Sequence, residues 1–383
     1  MAPGPERRGA RGGASGDAEG IGGPVDGQDP ARPCRQPRRV TDIRHVRVHG
    51  RLADDGGEPV LRHTAGGGPR TARARATAHR LPGESRARLG ERSRSRQPPA
   101  HARGAAVRIE RLPGPFGVEV SDVDLASCPD EELTAILSAI YDERFAVIRT
   151  GGLPDEDYVR FGYRCGQPVR FDETADNPEI LEITNIGVDT SSYARGAAHW
   201  HTDMSFTPVQ ASFTMLYSVA APRERGETRF CNLAAAYEAL AESTREEIED
   251  LAVEHRHGVS VSARPGDHTP IPPEGWDQST TVFHPLVRRH PVTGRKTLYA
   301  ITGTSQGIQG MDGETGATLL NALCDHAFQA PFLTSHRHRA HDLVIWDNPT
   351  TMHSATPIGA ATGPGDTRIL RRMSLHGKPS VFS

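Results

Sequence analysis

The stretch "HWHTDMSF" at residues 199–206 places two histidines and an aspartate within five residues. Neutral imidazole nitrogens and a carboxylate oxygen are the donors that a divalent transition metal takes from a protein. On an extended segment His199, His201 and Asp203 fall on one side, because side chains alternate. A polar turn beside a core strand explains the same three residues, so spacing alone leaves both readings open. A metal site needs a further ligand from elsewhere in the chain. The C-terminal half is rich in histidine, and most of these residues read as surface or locally bonded groups. His353 differs in context. It follows the apolar run "DLVIW" in "WDNPTTMHSATP", and a rigid strand followed by a short connection can fix a ligand. Two histidines and one carboxylate on one face of a metal form the facial triad of non-haem Fe(II) oxygenases, which leaves coordination positions open.

The closing stretch "RILRRMSLHG" adds charge to this picture. On a strand, Arg368, Leu370, Arg372, Ser374 and His376 face one way, and Ile369, Arg371, Met373 and Leu375 the other. Two arginines on one face are commonly a solvated stripe. Facing a cavity, each guanidinium can take a carboxylate bidentately, which provides for two anions near one metal.

Several elements must position these residues. A folded region is expected from residue 105 to 383. An amphipathic helix is expected from about Asp130 to Tyr141, feeding the buried strand "FAVIRT", and a second helix starts at Pro154–Asp155. "EILEITN", "SFTMLYSVA", "HDLVIWDN" and "TRILRRMSLHG" read as strands. "LAAAYEALAESTREEIEDLAVEHRH" reads as one or two helices, and "DGETGATLLNALCDHAFQ" as a late one. "TVFHPLVRRHPVTGRKTLYAI" reads as strand, turn, strand, after a long surface loop over 261–282. The expected class is mainly β with added helices, a sheet sandwich or open barrel.

The 383 residues carry a net charge of -3, but residues 1–100 hold 20 Lys and Arg against 11 Asp and Glu. That region is rich in Gly, Pro, Arg and Ala, and reads as a disordered extension over 1–104, with a short local strand allowed near 42–52. Its basic charge lacks the interleaved aromatics of a nucleic-acid surface, so nucleic acid is not an expected partner. The five cysteines, Cys34, Cys128, Cys165, Cys231 and Cys324, have neither zinc-site nor redox-motif spacing. No apolar run has the length of a membrane span. A cytoplasmic protein with reduced thiols and no membrane partner is expected.

In the order of its motifs the chain closely resembles the TauD/TfdA family of Fe(II)- and 2-oxoglutarate-dependent dioxygenases, over roughly residues 106–379. The resemblance rests on "GVEVSDVDL", "WHTDMSF", "APRERGETRFCNLAAAYEAL", "HPLVRRHPVTGRKTLY", "DLVIWDNPTTMHSATP" and "TRILRRMSLHGKP", in that sequence. It implies a double-stranded β-helix (a cupin-like jelly roll) with inserted helices, and a homo-oligomer. By position it implies His201, Asp203 and His353 as iron ligands. Thr228 and Arg368 are implied as holding the distal carboxylate of 2-oxoglutarate, and Arg372 as holding an anionic group of the primary substrate. Fe(II), 2-oxoglutarate as cosubstrate and O2 are the implied cofactors. The implied reaction hydroxylates an unactivated C–H bond of a small molecule and releases succinate and CO2. Desaturation, cyclisation and C–C cleavage use the same iron ligands and stay open, as does a non-enzymatic binding role for the fold. An aspartate at position 203 leaves no room for the halide of halogenating relatives.

The resemblance weakens at the substrate. Phe171 and Thr174 stand where taurine-type members carry a histidine and a tyrosine, and Ala197 stands in place of an asparagine. These departures argue against taurine. Arg170 is a candidate replacement contact or a surface arginine, and Trp200, Phe206 and Tyr217 are candidates for the pocket wall or the core.

Overall fold

The computed structural model of the protein describes residues 107–187, 198–257, 260–262 and 280–382. The N-terminal extension, the 42–52 strand, Ala197 and most of the 261–282 loop lie outside the described residues. Strands β1 (Arg108–Arg111) and β2 (Val118–Ser121) lead into helix α1 (Asp130–Glu143), strand β3 (Phe145–Arg149) and helix α2 (Asp155–Cys165). Strands β4 (Gln167–Pro168), β5 (Leu181–Thr184), β6 (Phe213–Ala220) and β7 (Thr228–Asn232) follow, then helices α3 (Leu233–Glu238) and α4 (Glu242–Ile248). Strands β8 (Ala252–His255), β9 (Val282–Pro285), β10 (Val287–Arg289), β11 (Lys296–Leu298) and β12 (Ser305–Ile308) precede helix α5 (Gly313–Ala327). Strands β13 (Leu333–His336), β14 (Asp342–Asp347), β15 (Thr351–Ala355) and β16 (Ile369–His376) close the chain.

An eight-stranded sheet runs β1-β2-β3-β14-β6-β16-β4, with β5 also paired to β16. A three-stranded sheet β13-β7-β15 faces it, and an isolated bridge between His201 and His353 widens that sheet by one residue pair. Alternation decides what each face of the large sheet buries. In β3, Ala146 and Ile148 join the core under the helices, whereas Phe145 and Val147 join the core between the sheets. Strand β14 repeats this, with Leu343 and Ile345 on the helix side and Val344 and Trp346 on the inner side. Both faces are covered, so these strands read as continuous apolar runs. Each fully buried Val, Leu, Ile or Phe contributes roughly 1.5–3 kcal/mol. The inner core of Phe116, Leu216, Phe230, Trp346 and Leu370 is therefore the main clamp between the sheets.

Helix α1 forms because Leu133, Ile136, Leu137 and Ile140 recur at helical spacing and are all buried. Asp130, Glu131 and Glu132 sit in its first turn, where the helix dipole favours negative charge. Helix α2 lies close against β16 at Gly162, where a Cβ would stand 2.2 Å from Met373 Sδ. This contact fixes the last strand from its outer side.

The expected helices and long strands occur at the expected places. Short strands are the difference. "AVEH" continues the helical pattern in sequence but pairs as β8 with β9 and β12. Strands β7, β12, β13 and β15 carry few apolar residues in alternation, and pairing partners alone make them strands. The 282–298 region splits at Leu286, because β9 pairs with β8 while β10 turns through Gly294 to pair with β11. Among the described residues no helix is long and apolar enough to cross a membrane.

Candidate metal and cosubstrate site

His353 sits inside β15, not on a connection after β14. A short 3-10 turn at Asn348–Thr350 reverses the chain, so β15 pairs with β7 and presents His353 opposite Phe230. His201 meets it across the isolated bridge, with reciprocal backbone bonds of 3.0 and 2.9 Å. Asp203 lies two residues on, in a turn that continues through Met204 at φ 56. His201, Asp203 and His353 each offer one ligand atom, all within 4.8 Å of one another. His201 Nε2 is 3.6 Å from Asp203 Oδ1, and His353 Nε2 is 3.7 Å from Asp203 Oδ2. His199 instead stacks its ring on His201, 4.5 Å between centroids, and is no member of this group.

The donor set fits a divalent iron. His201 Nδ1 is 3.0 Å from the carbonyl oxygen of His199, so it donates there, and Nε2 is the nitrogen on the side of Asp203. Burial, then the nearness of His201, holds His353 well below the usual imidazole range, so its ring is neutral, as a metal ligand needs to be. Burial pushes the Asp203 carboxyl up. Arg372 first, then His353 and His201, outweigh that and keep it ionised well below the ordinary carboxylate range. Two imidazoles and one carboxylate are the facial-triad set.

Asp203 is held on both oxygens. Arg372 donates to Oδ1 through Nη2 at 2.7 Å, and Thr214 donates to Oδ2 at 2.6 Å. Asn348 Nδ2 donates to the Thr214 hydroxyl at 2.9 Å, and Trp346 Nε1 donates to Asn348 Oδ1 at 3.1 Å. Sequence reading missed this relay. Its only signal is that Thr214 and Trp346 occupy polar-capable, inward positions on otherwise apolar strands.

A second feature lies beyond the triad. Arg368 is only 4% exposed, and its Nε has no hydrogen-bond partner among the described residues. Burial lowers the pKa of its guanidinium. A buried cation without a partner is costly, so the place fits an anion such as the distal carboxylate of 2-oxoglutarate. The side chain passes Gly226, where a Cβ would lie 3.6 Å from Arg368 Cδ. Thr228 begins β7 two residues later and is buried, bonded to His338 at 2.8 Å.

The other candidates separate. Phe171 places its ring 5.9 Å from the Arg372 guanidinium carbon, beside the triad. Arg170 is tied to Glu173 and Glu179, and Thr174 to Asp172, so neither points a free group at the site. Tyr217 belongs to the core under the helices, its hydroxyl accepting from Leu153 N. Trp200 packs on Phe328 and under Arg229, and Phe206 stands against His257.

A jelly roll that converges two histidines and a carboxylate, and that buries an arginine whose Nε has no hydrogen-bond partner among the described residues, belongs to the class of non-haem iron, 2-oxoglutarate-dependent dioxygenases. The family model "Taurine catabolism dioxygenase TauD, TfdA family" matches residues 108–374, and the chain belongs to that family. It is 30% identical to an (S)-phenoxypropionate/alpha-ketoglutarate-dioxygenase of Sphingobium herbicidovorans, over 72% of this chain and 96% of that protein. It is 29% identical to an alpha-ketoglutarate-dependent 2,4-dichlorophenoxyacetate dioxygenase of Cupriavidus pinatubonensis, over 62% and 88% of the two chains. A crystal structure of AAD-2 in complex with Mn(II) and N-oxalylglycine superposes with a TM-score of 0.58 at 30% identity, covering 72% of this chain and 98% of that one. The protein is thus an enzyme, an Fe(II)- and 2-oxoglutarate-dependent dioxygenase that uses O2 and acts on a small molecule.

Proposed function

We propose that His201, Asp203 and His353 hold the Fe(II), that Thr228 and Arg368 hold the distal carboxylate of 2-oxoglutarate, and that Arg372 faces the anionic group of the primary substrate. The observation that carries this reading is the conjunction of a candidate ligand triad with a buried Arg368 whose Nε has no hydrogen-bond partner among the described residues. A plain metal-binding jelly roll needs no such cation. Bound Fe(II) supplies the O2 chemistry that couples loss of CO2 from 2-oxoglutarate to hydroxylation of a C–H bond, leaving succinate.

The chain's own groups do the positioning. Thr214 and Arg372 fix both oxygens of Asp203, so the carboxylate cannot rotate away from its ligand position. Arg372 spends Nη2 on Asp203 and on Ser374, and Nε on Ser374 as well. A guanidinium has five donors, so capacity remains for an organic anion. The Phe171 ring beside Arg372 offers an apolar wall where a zwitterionic amine would find no partner. We infer a substrate with an acidic group and an apolar body, in the manner of the aryloxyalkanoates named for the relatives above. We further propose a cytoplasmic homo-oligomer; light scattering on the purified protein tests the oligomer, and fractionation of cells the compartment.

The test is anaerobic titration of aryloxyalkanoates, alkyl sulfates and taurine into the Fe(II)- and 2-oxoglutarate-loaded enzyme, followed by O2 and product mass. An aryloxyalkanoate is expected to perturb the iron spectrum and gain one oxygen; a response to taurine alone overturns the substrate reading. His353→Ala is expected to abolish stoichiometric iron binding. Arg368→Met is expected to raise the apparent constant for 2-oxoglutarate, and Arg372→Met that for the primary substrate. An Arg372→Met enzyme impaired only toward 2-oxoglutarate contradicts the division.

A further inference from the structure

We infer that His338 is a positioning residue for 2-oxoglutarate: it fixes the direction in which the Thr228 hydroxyl presents its proton. The inference rests on the proposed role of Thr228 and Arg368 as the anchor of the distal carboxylate.

His338 is 3% exposed and lies between two buried hydroxyls. Its Nε2 is 2.8 Å from Thr228 Oγ1, and its Nδ1 is 3.0 Å from Ser218 Oγ. Ser218 lies on β6, and Thr228 on the facing sheet, so the imidazole bridges the two walls of the jelly roll. Burial pushes the ring down to about 3, with His336 and Arg368 adding to the effect and Asp342 opposing it. The ring is therefore neutral and carries one proton. A neutral imidazole has one donor and one acceptor nitrogen, whereas each hydroxyl both donates and accepts. The three groups therefore form a chain with only two self-consistent directions.

In one direction Ser218 donates to Nδ1, Nε2–H donates to Thr228 Oγ1, and the Thr228 proton is left to point outward. In the other, Thr228 donates to Nε2, Nδ1–H donates to Ser218, and Thr228 presents only lone pairs. A carboxylate is an acceptor and nothing else. The second arrangement sets oxygen lone pairs against the anion that Arg368 attracts; the first supplies a charge-assisted hydrogen bond to it. The anion site therefore requires the Nε2–H tautomer. Neighbouring His336 is outside this chain, because its Nε2 is spent on Asp342 Oδ2 at 3.1 Å.

The test uses the full-length protein. Nitrogen-15 spectra of the histidine rings in the metal-free protein are expected to show His338 protonated at Nε2; a ring protonated at Nδ1 overturns the inference. Calorimetric titration of 2-oxoglutarate into the anaerobic Fe(II) protein gives the second readout. His338→Leu removes the donor and is expected to weaken 2-oxoglutarate on the order of tenfold to a hundredfold, with Fe(II) affinity unchanged. His338→Gln restores an amide N–H toward Thr228 and is expected to recover most of that loss. Equal losses in both variants, or none in either, overturn the inference. Where His338→Leu fails to fold, the tautomer measurement on the unaltered protein decides. Thr228→Ala and Arg368→Met serve as the anchoring controls. If they leave 2-oxoglutarate binding intact, the anchor itself is misassigned; if they weaken it while the His338 variants do not, only the role of His338 falls.

Discussion

Asp203 shows how much of the proposed metal site is built from residues that are not themselves proposed ligands. Its carboxylate is fixed by Arg372 on one oxygen and by the Trp346–Asn348–Thr214 relay on the other. Removing the Thr214 hydroxyl leaves Asn348 Nδ2 without its acceptor and frees Oδ2 to rotate. Thr214→Val keeps the branched shape on β6, so the fold should persist. Iron affinity is expected to fall about 10- to 100-fold, the usual cost of losing a partner behind a ligand. Competition against a chelator, with the melting temperature measured alongside, checks this. Unchanged iron affinity contradicts the relay.

At the scale of elements, the approach of the 301–304 segment to the "HWHTD" turn sets where His201 stands. Gly303 has φ +92, and a Cβ there would meet His201 Cβ at 2.8 Å and the Trp200 carbonyl oxygen at 2.9 Å. Both the backbone angle and the space demand glycine. Gly303→Ala is expected to cost roughly 1–3 kcal/mol of stability and to displace His201 from the bridge with His353. Iron binding should then fall more than the stability loss alone explains. Chemical denaturation and iron titration on the same variant measure the two effects; loss of stability with full iron binding contradicts the positioning role.

At the scale of the whole molecule, buried histidines tie stability to pH, His255 and His338 among them. Burial depresses His255 to about 3 and His338 to about 3. In the unfolded chain each takes up a proton near pH 6.5, and in the folded enzyme it does not. The unfolded state thus binds more protons below that pH. Each histidine contributes its full stability above about 6.5 and loses roughly 1.4 kcal/mol per pH unit as pH falls toward 3. Denaturant unfolding at pH 7.5 and 5.5 should show the decline, and His255→Gln should make it shallower while His338 keeps its share; an unchanged decline contradicts the assignment. We also propose that residues 1–104 stand outside the catalytic domain formed by 105–383. A chain lacking 1–104 is expected to keep the melting temperature and turnover of the full protein, and a large loss of either contradicts that boundary.

Residue types and local periodicity determined a good deal by themselves. The i, i+3, i+4, i+7 apolar spacing of α1, the unbroken apolar runs within β3 and β14 and the mostly apolar β6 are local patterns, and they were legible as elements. The H-x-D pair and His353 were legible as candidates because their chemistry is carried by side-chain identity. The tertiary structure alone decided which candidates converge. His353, not His199, completes the group with His201 and Asp203, because the 3-10 turn after β14 sets β15 in register with β7 and across from His201. That register joins residues about 150 positions apart, and no local pattern encodes it. Strands β7, β13 and β15 became strands through partners rather than propensity. The ion pair of Arg372 with Asp203 and the bridge of His338 to Thr228 likewise depend on two facing sheets meeting at hydrogen-bond distance. Such contacts are properties of the packed interior, where an unpaired polar group is costly enough to select its neighbours.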